Sequence, residues 1–436
     1  MTRTHLPTTS RSISVDRRTI LRSTVAGAAL ATVATVASPA LNVLAQDASP
    51  VSLPDGGATP VGVPAALQYA YVGADSRTAI ANGADAASTG ISVFAVDPVS
   101  GGLTLLQTLV SDNAFYFTFH PTQQFLYAVN VIGDYEGTES GSVEAYAIDS
   151  STGMLTFLNR QSSGGAVAAQ PAVDPTGSFL VVANYNGENV VVLPINADGS
   201  LEPVIAEATR SGTGPDTVRQ EKSHPHAAVF DPAGNFVVVA DLGTDQVATY
   251  QLNLESGSLT LVSEVSTAAG AGPRHVVFNA DGTLLYVVNE LNATITIFSY
   301  DSATGMIGEE LQTISTVPDP FVGTRSTAEI LIHPSGTFLY NSNRGQPDST
   351  TPEGDAIVAF SIDQQTGLLT LIGHTTEGIG VPWSFGFDAS GQWLYAANYD
   401  DDTVTQYAIN QDTGELSGPV GTFATPKPFV IAFSNA

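Results

Sequence analysis

Pro273-Arg-His-Val-Val-Phe-Asn-Ala-Asp-Gly-Thr-Leu-Leu-Tyr-Val-Val-Asn289 reads as a short apolar strand, a turn closed by glycine, and a second apolar strand that stops at asparagine. Matching first turns stand at His120-Pro121, Asp174-Pro-Thr-Gly177, Asp231-Pro-Ala-Gly234, His333-Pro-Ser-Gly336 and Asp388-Ala-Ser-Gly391. The strands after them end at Asn130, Asn184, Asp241, Asn343 and Asn398. A third strand, a glycine turn such as Ser151-Thr-Gly153, Ala303-Thr-Gly305, Gln365-Thr-Gly367 or Asp412-Thr-Gly414, and a fourth strand complete the unit. The period is about 40–55 residues. Short strands alternating with glycine turns at this spacing predict an all-β fold, a β-propeller.

Six units are complete, and two fragments remain. Tyr69-Ala-Tyr-Val-Gly73 is a second strand without a first, and Phe429-Val-Ile-Ala-Phe433 is a first strand without successors. Joined, they make a seventh blade and close the ring, so that no sheet edge is left open. The propeller is expected over residues 67–436, without helical spacing.

The N-terminal part reads differently. Ser14-Val-Asp-Arg-Arg-Thr-Ile-Leu-Arg22 leads into a weakly apolar run from Ser23 to Ala37 and then Val43-Leu-Ala45. Adjacent arginines, a short apolar run and a small-residue cleavage pattern resemble a twin-arginine export signal over residues 1–45. The run is too short for a good membrane span. Residues 46–66, with four prolines and little charge, read as a flexible linker.

The chain carries a formal charge of −28 and has no cysteine. Without its first 45 residues it keeps 41 acidic and nine basic residues, about −32. That field repels nucleic acid and anionic lipid, so neither is an expected partner. Thiol and disulfide chemistry are excluded. A monomer acting on a small molecule is expected, with no cofactor. No metal motif stands out, although the acidic loops at 134–139 and 348–355 are places where calcium could sit.

Repeats control for one another. At the start of the first strands stand Phe115, Ala169, His226, Arg274, Ala328 and Trp383; just after the second strands stand Val131, Tyr185, Leu242, Glu290, Arg344 and Tyr399. Packing residues dominate both series, so His226, Arg274, Glu290 and Arg344 are departures that the blade does not need. Both positions lie on one face of a propeller, which predicts that the four converge at one mouth of the central channel. The nine cations, Arg77, Arg160, Arg210, Arg219, Lys222, Arg274, Arg325, Arg344 and Lys427, fall in or beside loops of that same face. Tyr185, Trp383 and Tyr399 are candidates for a ring-binding wall, or for core packing. His275 is a candidate substrate contact, although alternation with Arg274 would turn it between blades. His224, Asp241 and Asp245 read as loop-fixing residues, and His120 and His333 as structural groups of the opposite face.

His224-Pro-His-Ala-Ala-Val-Phe, Asp241-Leu-Gly-Thr-Asp245, Gly272-Pro-Arg-His275 with Asn289-Glu-Leu-Asn292, and Asn343-Arg344 together resemble the lactonase propeller family. That family includes the cycloisomerase-type 6-phosphogluconolactonases and fungal carboxy-cis,cis-muconate cyclase. The resemblance implies that His226, Arg274, Glu290 and Arg344 form the active site. Pro382-Trp383 departs from the Pro-Arg of the bacterial phosphogluconolactonase branch and removes a cation there. Lactone opening needs a base, an acid for the leaving group and charge stabilisation for the oxyanion. Glu290 is the expected base, His226 or His275 the shuttle and leaving-group acid, and Arg274 and Arg344 the carbonyl or carboxylate ligands. The same set suits lactonisation of an unsaturated acid, and a propeller that binds without catalysis is the third reading. An exported enzyme would meet lactones other than the cytoplasmic 6-phosphogluconolactone.

Overall fold

The computed structural model of the protein describes residues 68–434; the expected export signal and linker lie outside the described residues. Seven four-stranded antiparallel sheets are present. Blade 1 joins the two ends. Gln68–Ala74, Gly90–Val96 and Leu103–Val110 follow one another, and Pro428–Phe433 takes the innermost place, with Tyr71 opposite Ala432. Blades 2 to 7 follow in order over residues 114–162, 168–209, 225–266, 273–315, 327–375 and 382–424. Six complete units and two fragments therefore do make seven blades, with the C-terminal strand closing the ring as the innermost strand of blade 1.

Burial follows from the packing of each sheet between two neighbours. Second strands such as Phe179–Asn184 and Phe236–Asp241 are buried on both faces, which is why they read as continuous apolar runs. Outer strands such as Met306–Ser315 are mostly open to solvent. One element was not expected, the six-residue helix Ser76–Ala81, whose first turn is capped by the Asp75 carboxylate accepting from Thr78 N. At that length a 3.6-residue period cannot show in the sequence. Among the described residues no helix is long and apolar enough to cross a membrane.

A recurrent tyrosine latches neighbouring blades. Tyr71, Tyr127, Tyr286, Tyr340 and Tyr395, each in a second strand, donate to the carbonyls of Gly153, Gly199, Gly367, Gly414 and Gly101, at 2.9, 3.1, 2.8, 2.8 and 2.6 Å. Each acceptor is a turn glycine of the following blade. Gly414 needs its lack of a side chain, because its φ is +73° and a Cβ would lie 2.5 Å from the Phe338 ring. Blades 3 and 4 have Val181 and Val238 at the same place, which cannot make this bond. Tyr340→Phe should cost about 1 kcal/mol, read as a shift in the urea midpoint, whereas Val238→Ile should leave the latch series untouched and shift the midpoint through packing alone.

Candidate active site

The innermost strand of every blade carries a β-bulge at its second residue. Pairing jumps from Pro225 to Ala227, Pro273 to His275, Pro382 to Ser384, Ala114 to Tyr116 and Ala168 to Gln170, and from Thr327 to Ile330 in blade 6. In blade 1 the register shifts between Val430 and Pro428. A bulge leaves one residue unpaired and re-aims its side chain. The unpaired residues at this position are Phe115, Ala169, His226, Arg274, Ala328 (with Glu329 also unpaired beside it), Trp383 and Phe429, and they form a ring at one end of the channel. Across it, Phe115 meets Trp383, Phe429 and His226 at ring distances of 5.8, 5.1 and 6.4 Å.

A second ring follows from one hydrogen bond. The residue after each second strand donates its backbone N–H to the residue just before the innermost strand of its own blade. The bonds are Val131 to Asn113, Tyr185 to Val167, Leu242 to His224, Glu290 to Gly272, Arg344 to Ser326 and Tyr399 to Val381. Asp75, bonded to the Lys427 carbonyl, is the seventh member. Asp75 also accepts from the Tyr399 hydroxyl at 2.7 Å.

The two rings bring His226, Arg274, Glu290 and Arg344 to one mouth. Glu290 lies at its centre. One carboxylate oxygen is 3.1 Å from Arg344 Nη2 and 2.7 Å from Arg219 Nη2, and the other is 3.2 Å from Arg274 Nε. Glu290 is thus paired within a four-residue cluster, and Arg219 is a member that the repeat comparison did not single out. Arg274 is 1% exposed and also donates to the Ala328 carbonyl at 2.6 Å. Arg344 donates to Ser326 Oγ and the Thr327 carbonyl and lies 4.3 Å over the Trp383 ring.

The charges set the protonation states. Burial would raise the Glu290 carboxyl, but Arg344, Arg219 and Arg274 outweigh it and hold it at about 2. Burial pushes Arg344 down to about 10, against the pull of Glu290, and leaves it cationic at neutral pH. His226 is pushed well below its ordinary value, by burial first and then by Arg274, His275 and Arg344, so it is neutral. Three guanidiniums share the Glu290 carboxylate, so the cluster is positive, offset in part by the buried Glu329 one layer below. Four buried polar atoms there lack hydrogen-bond partners, namely His226 Nδ1, Arg274 Nε, Arg344 Nε and Trp383 Nε1. Arg274 Nε is close to Glu290 but does not have hydrogen-bond geometry towards it.

His275 does not turn between blades. Because the bulge breaks alternation, it faces the channel one layer below Arg274, 5.1 Å from the His226 ring and 5.3 Å from the Tyr116 ring across the axis. Its Nε2 is 3.2 Å from Arg274 Nη1, and its Nδ1 is 2.9 Å from Glu329 Oε1. Glu329, which sequence reasoning missed, also meets Ser384 Oγ at 3.4 Å. A signal existed, since Tyr116, Gln170, His275, Glu329 and Ser384 occupy one repeat position and all are polar. Below them a cavity of about 570 Å³, lined by Tyr116, Glu329 and Ser384 among others, opens towards the turns of the opposite face.

The remaining candidates sort by partner. Tyr185 is half-buried, stacked on His224 at 4.2 Å and edge-on to His226 at 5.6 Å. Trp383 and Tyr399 pack on Phe429 at 5.3 and 5.4 Å, so both wall and packing descriptions fit them. His224 ties its loop to the Tyr185 carbonyl; Asp241 accepts from His224 N, and Asp245 from Gly270 N and Gly272 N. His120 and His333 bond to the turn carbonyls of Gly177 and Gly391 in the next blades. Arg77 lies on the helix, between Asp112 and Asp134, and Arg160 lies inside the outer strand Leu155–Ser162, paired with Glu144. In the acidic loops Asp134 is thereby engaged and Asp348 accepts from Thr324; among the described residues no group of three His, Cys, Asp or Glu side chains is placed to hold a metal.

A carboxyl whose folded value is depressed stabilises above its unfolded value, about 4.5, and loses that contribution as pH falls towards about 2. Glu290→Gln leaves three arginines without their counter-charge and should cost roughly 3–5 kcal/mol at pH 7. Urea unfolding should show the gap between wild type and variant narrowing from pH 7 to pH 3.

The Lactonase, 7-bladed beta-propeller family model matches residues 70–433. The 6-phosphogluconolactonase of Bacillus subtilis is 33% identical over 321 residues, covering 74% of this chain and 87% of the relative. That of Formosa agariphila is 30% identical over 332 residues, covering 75% and 90%. The structure of the periplasmic gluconolactonase of Pseudomonas aeruginosa superposes with a TM-score of 0.75 at 28% identity, covering 84% of this chain and 99% of that one. The chain belongs to the lactonase family of seven-bladed β-propellers.

Proposed function

We propose that the protein is an exported lactone hydrolase acting on a small sugar lactone or carboxylated lactone. The observation that carries this is the buried mouth itself, where Arg344 Nε and the Nδ1 of a neutral His226 lack hydrogen-bond partners and Arg274 Nε meets Glu290 only as an ion pair. A lactone carbonyl seated there places its oxygen among guanidinium donors. As water attacks the carbonyl carbon, the oxygen gains charge in a site where donors are already fixed and desolvated. His226 takes the proton from water and returns it to the ring oxygen as the C–O bond breaks, giving a hydroxyl and a carboxylic acid that then ionises. Arginine does not supply that proton, because it holds its own too firmly.

This reading moves the base from Glu290 to His226. A carboxylate held at about 2 by three cations is a weak proton acceptor. Glu290 instead keeps Arg274 and Arg344 close together, where their mutual repulsion would otherwise spread them. His275, backed by Glu329, continues the polar layer beneath His226 and fixes Arg274 Nη1. The wall residues Tyr185, Trp383 and Tyr399 exclude water from the ring face. Export rests on the paired arginines at 17 and 18 and agrees with the periplasmic neighbour.

The positive cluster also favours a second reading, lactonisation of an unsaturated polycarboxylate with the arginines gripping its carboxylates. Proton release from gluconolactone and proton uptake with muconate-type acids separate the two. For hydrolysis, His226→Ala should lower kcat/KM on gluconolactone about 10²–10⁴-fold, with partial recovery in added imidazole. Unchanged rates, or a loss that imidazole does not restore while Glu290→Gln abolishes turnover, would return the base role to Glu290.

A further inference from the structure

Arg219 stands outside both rings. It belongs to the connection of residues 210–224, between the outer strand of blade 3 and the innermost strand of blade 4. The backbone beside it is firmly held. Gln220 is fully buried, and its amide donates to the Leu242 carbonyl at 2.9 Å and to Asp245 Oδ1 at 2.7 Å. Asp216 accepts from Val218 N and Arg219 N at 2.9 and 3.1 Å. From this base the Arg219 side chain crosses the mouth to Glu290 Oε1 at 2.7 Å and the Tyr185 hydroxyl at 3.3 Å.

The three arginines on Glu290 are not equivalent. The side chains of Arg274 and Arg344 are 1% and 7% exposed, and both hold backbone carbonyls besides Glu290. That of Arg219 is 39% exposed and touches no backbone carbonyl in this geometry. Glu290 Oε1 is shared between Arg219 and Arg344, so a departing Arg219 leaves the carboxylate still paired with the two inner arginines. The outer guanidinium is therefore the one that can change partner at small cost. Its planar fork fits a carboxylate or a phosphate in two-point contact. In a chain of net charge −28, attraction of an anion has to be local, and Arg219 supplies it at the solvent end of the mouth.

Resting on the lactone-hydrolase reading, we propose that Arg219 determines specificity by exchanging Glu290 Oε1 for an anionic group carried on the substrate remote from the lactone carbonyl. The inner arginines then serve the carbonyl and the outer one the substituent, so neutral and anionic lactones differ at Arg219 and nowhere else in the cluster.

The test uses the full chain with gluconolactone and its 6-phosphate, and calorimetry with gluconate, 6-phosphogluconate and glucarate. A charge-assisted pair is worth a factor of roughly 10–100. Arg219→Gln should raise the ratio of KM for the phosphorylated lactone to KM for gluconolactone by that factor, whatever common change both substrates share. The wild-type preference for 6-phosphogluconate or glucarate over gluconate should vanish in the same variant and return in part in Arg219→Lys. Phosphogluconate and glucarate distinguish phosphate from carboxylate as the group recognised. Equal weakening of all ligands, an intact preference in Arg219→Gln, or no preference in wild type for either anion overturns the assignment. If no lactone is turned over by wild type but the Arg219-dependent preference persists, the hydrolase reading fails and the anion site stands.

Discussion

One residue too many in each innermost strand is the constraint on which the site depends. Seven strands crowd around one axis, and each accommodates the crowding with a bulge at its second residue. The chain bends into several of these bulges through residues at positive φ, including Val167 at 61° and Val381 at 49°, a conformation that β-branched residues rarely adopt. Closure of the ring holds such residues in place. In return the bulge aims one side chain per blade across the channel. Five blades spend that position on Phe115, Ala169, Ala328, Trp383 and Phe429, which fill space. Blades 4 and 5 place His226 and Arg274 there, so the same distortion serves packing in most of the ring and turns a histidine and an arginine into the channel in the rest.

Electrostatics at the mouth follows from how few groups are present and how deeply they lie. Burying a guanidinium costs several kcal/mol unless it is paired. Glu290 serves three guanidiniums at once, which is economical but leaves the cluster positive. That surplus sits inside a strongly acidic protein, and an anion reaching it gains from a low-dielectric setting that bulk screening does not weaken. Burial first, and the neighbouring cations after it, push His226 and His275 below the ordinary imidazole value.

Much of this was legible in the chain. The glycine turns and the Asn-terminated second strands give the blade count, because each unit repeats the same local chemistry. Comparing units finds His226, Arg274, Glu290 and Arg344, because an aligned repeat shows what a blade places there when only packing is required. Arg219 escaped, since an irregular connection has no counterpart in the other units. His275 was turned the wrong way because strand alternation assumes unbroken pairing, and a bulge is invisible to a period of two. Glu329 was lost for the same reason. Read as two successive inward positions per strand, Tyr116, Gln170, His275, Glu329 and Ser384 would have appeared as a polar layer. Helix Ser76–Ala81 was too short to register.

The missing tyrosine latches have a mechanical consequence. Val181 precedes the interface between blades 3 and 4, and Val238 the interface between blades 4 and 5, so blade 4 is bordered on both sides by contacts that lack the hydroxyl-to-turn bond. What joins it to blade 3 instead is Arg210, which bonds to Asp241, Tyr250, Gln246 and Glu264 near the active face. Blade 4 therefore relies on its buried apolar interfaces with blades 3 and 5, on Arg210 near the active face, and on Ser263 Oγ accepting from Ile307 N at 3.2 Å near the opposite turns. It carries His226, and the connection leading into it carries Arg219. His226 and Arg219 are thus mounted on the one blade without a tyrosine latch on either side, whereas Arg274, Glu290 and Arg344 belong to blades 5 and 6, which the Tyr286 latch joins.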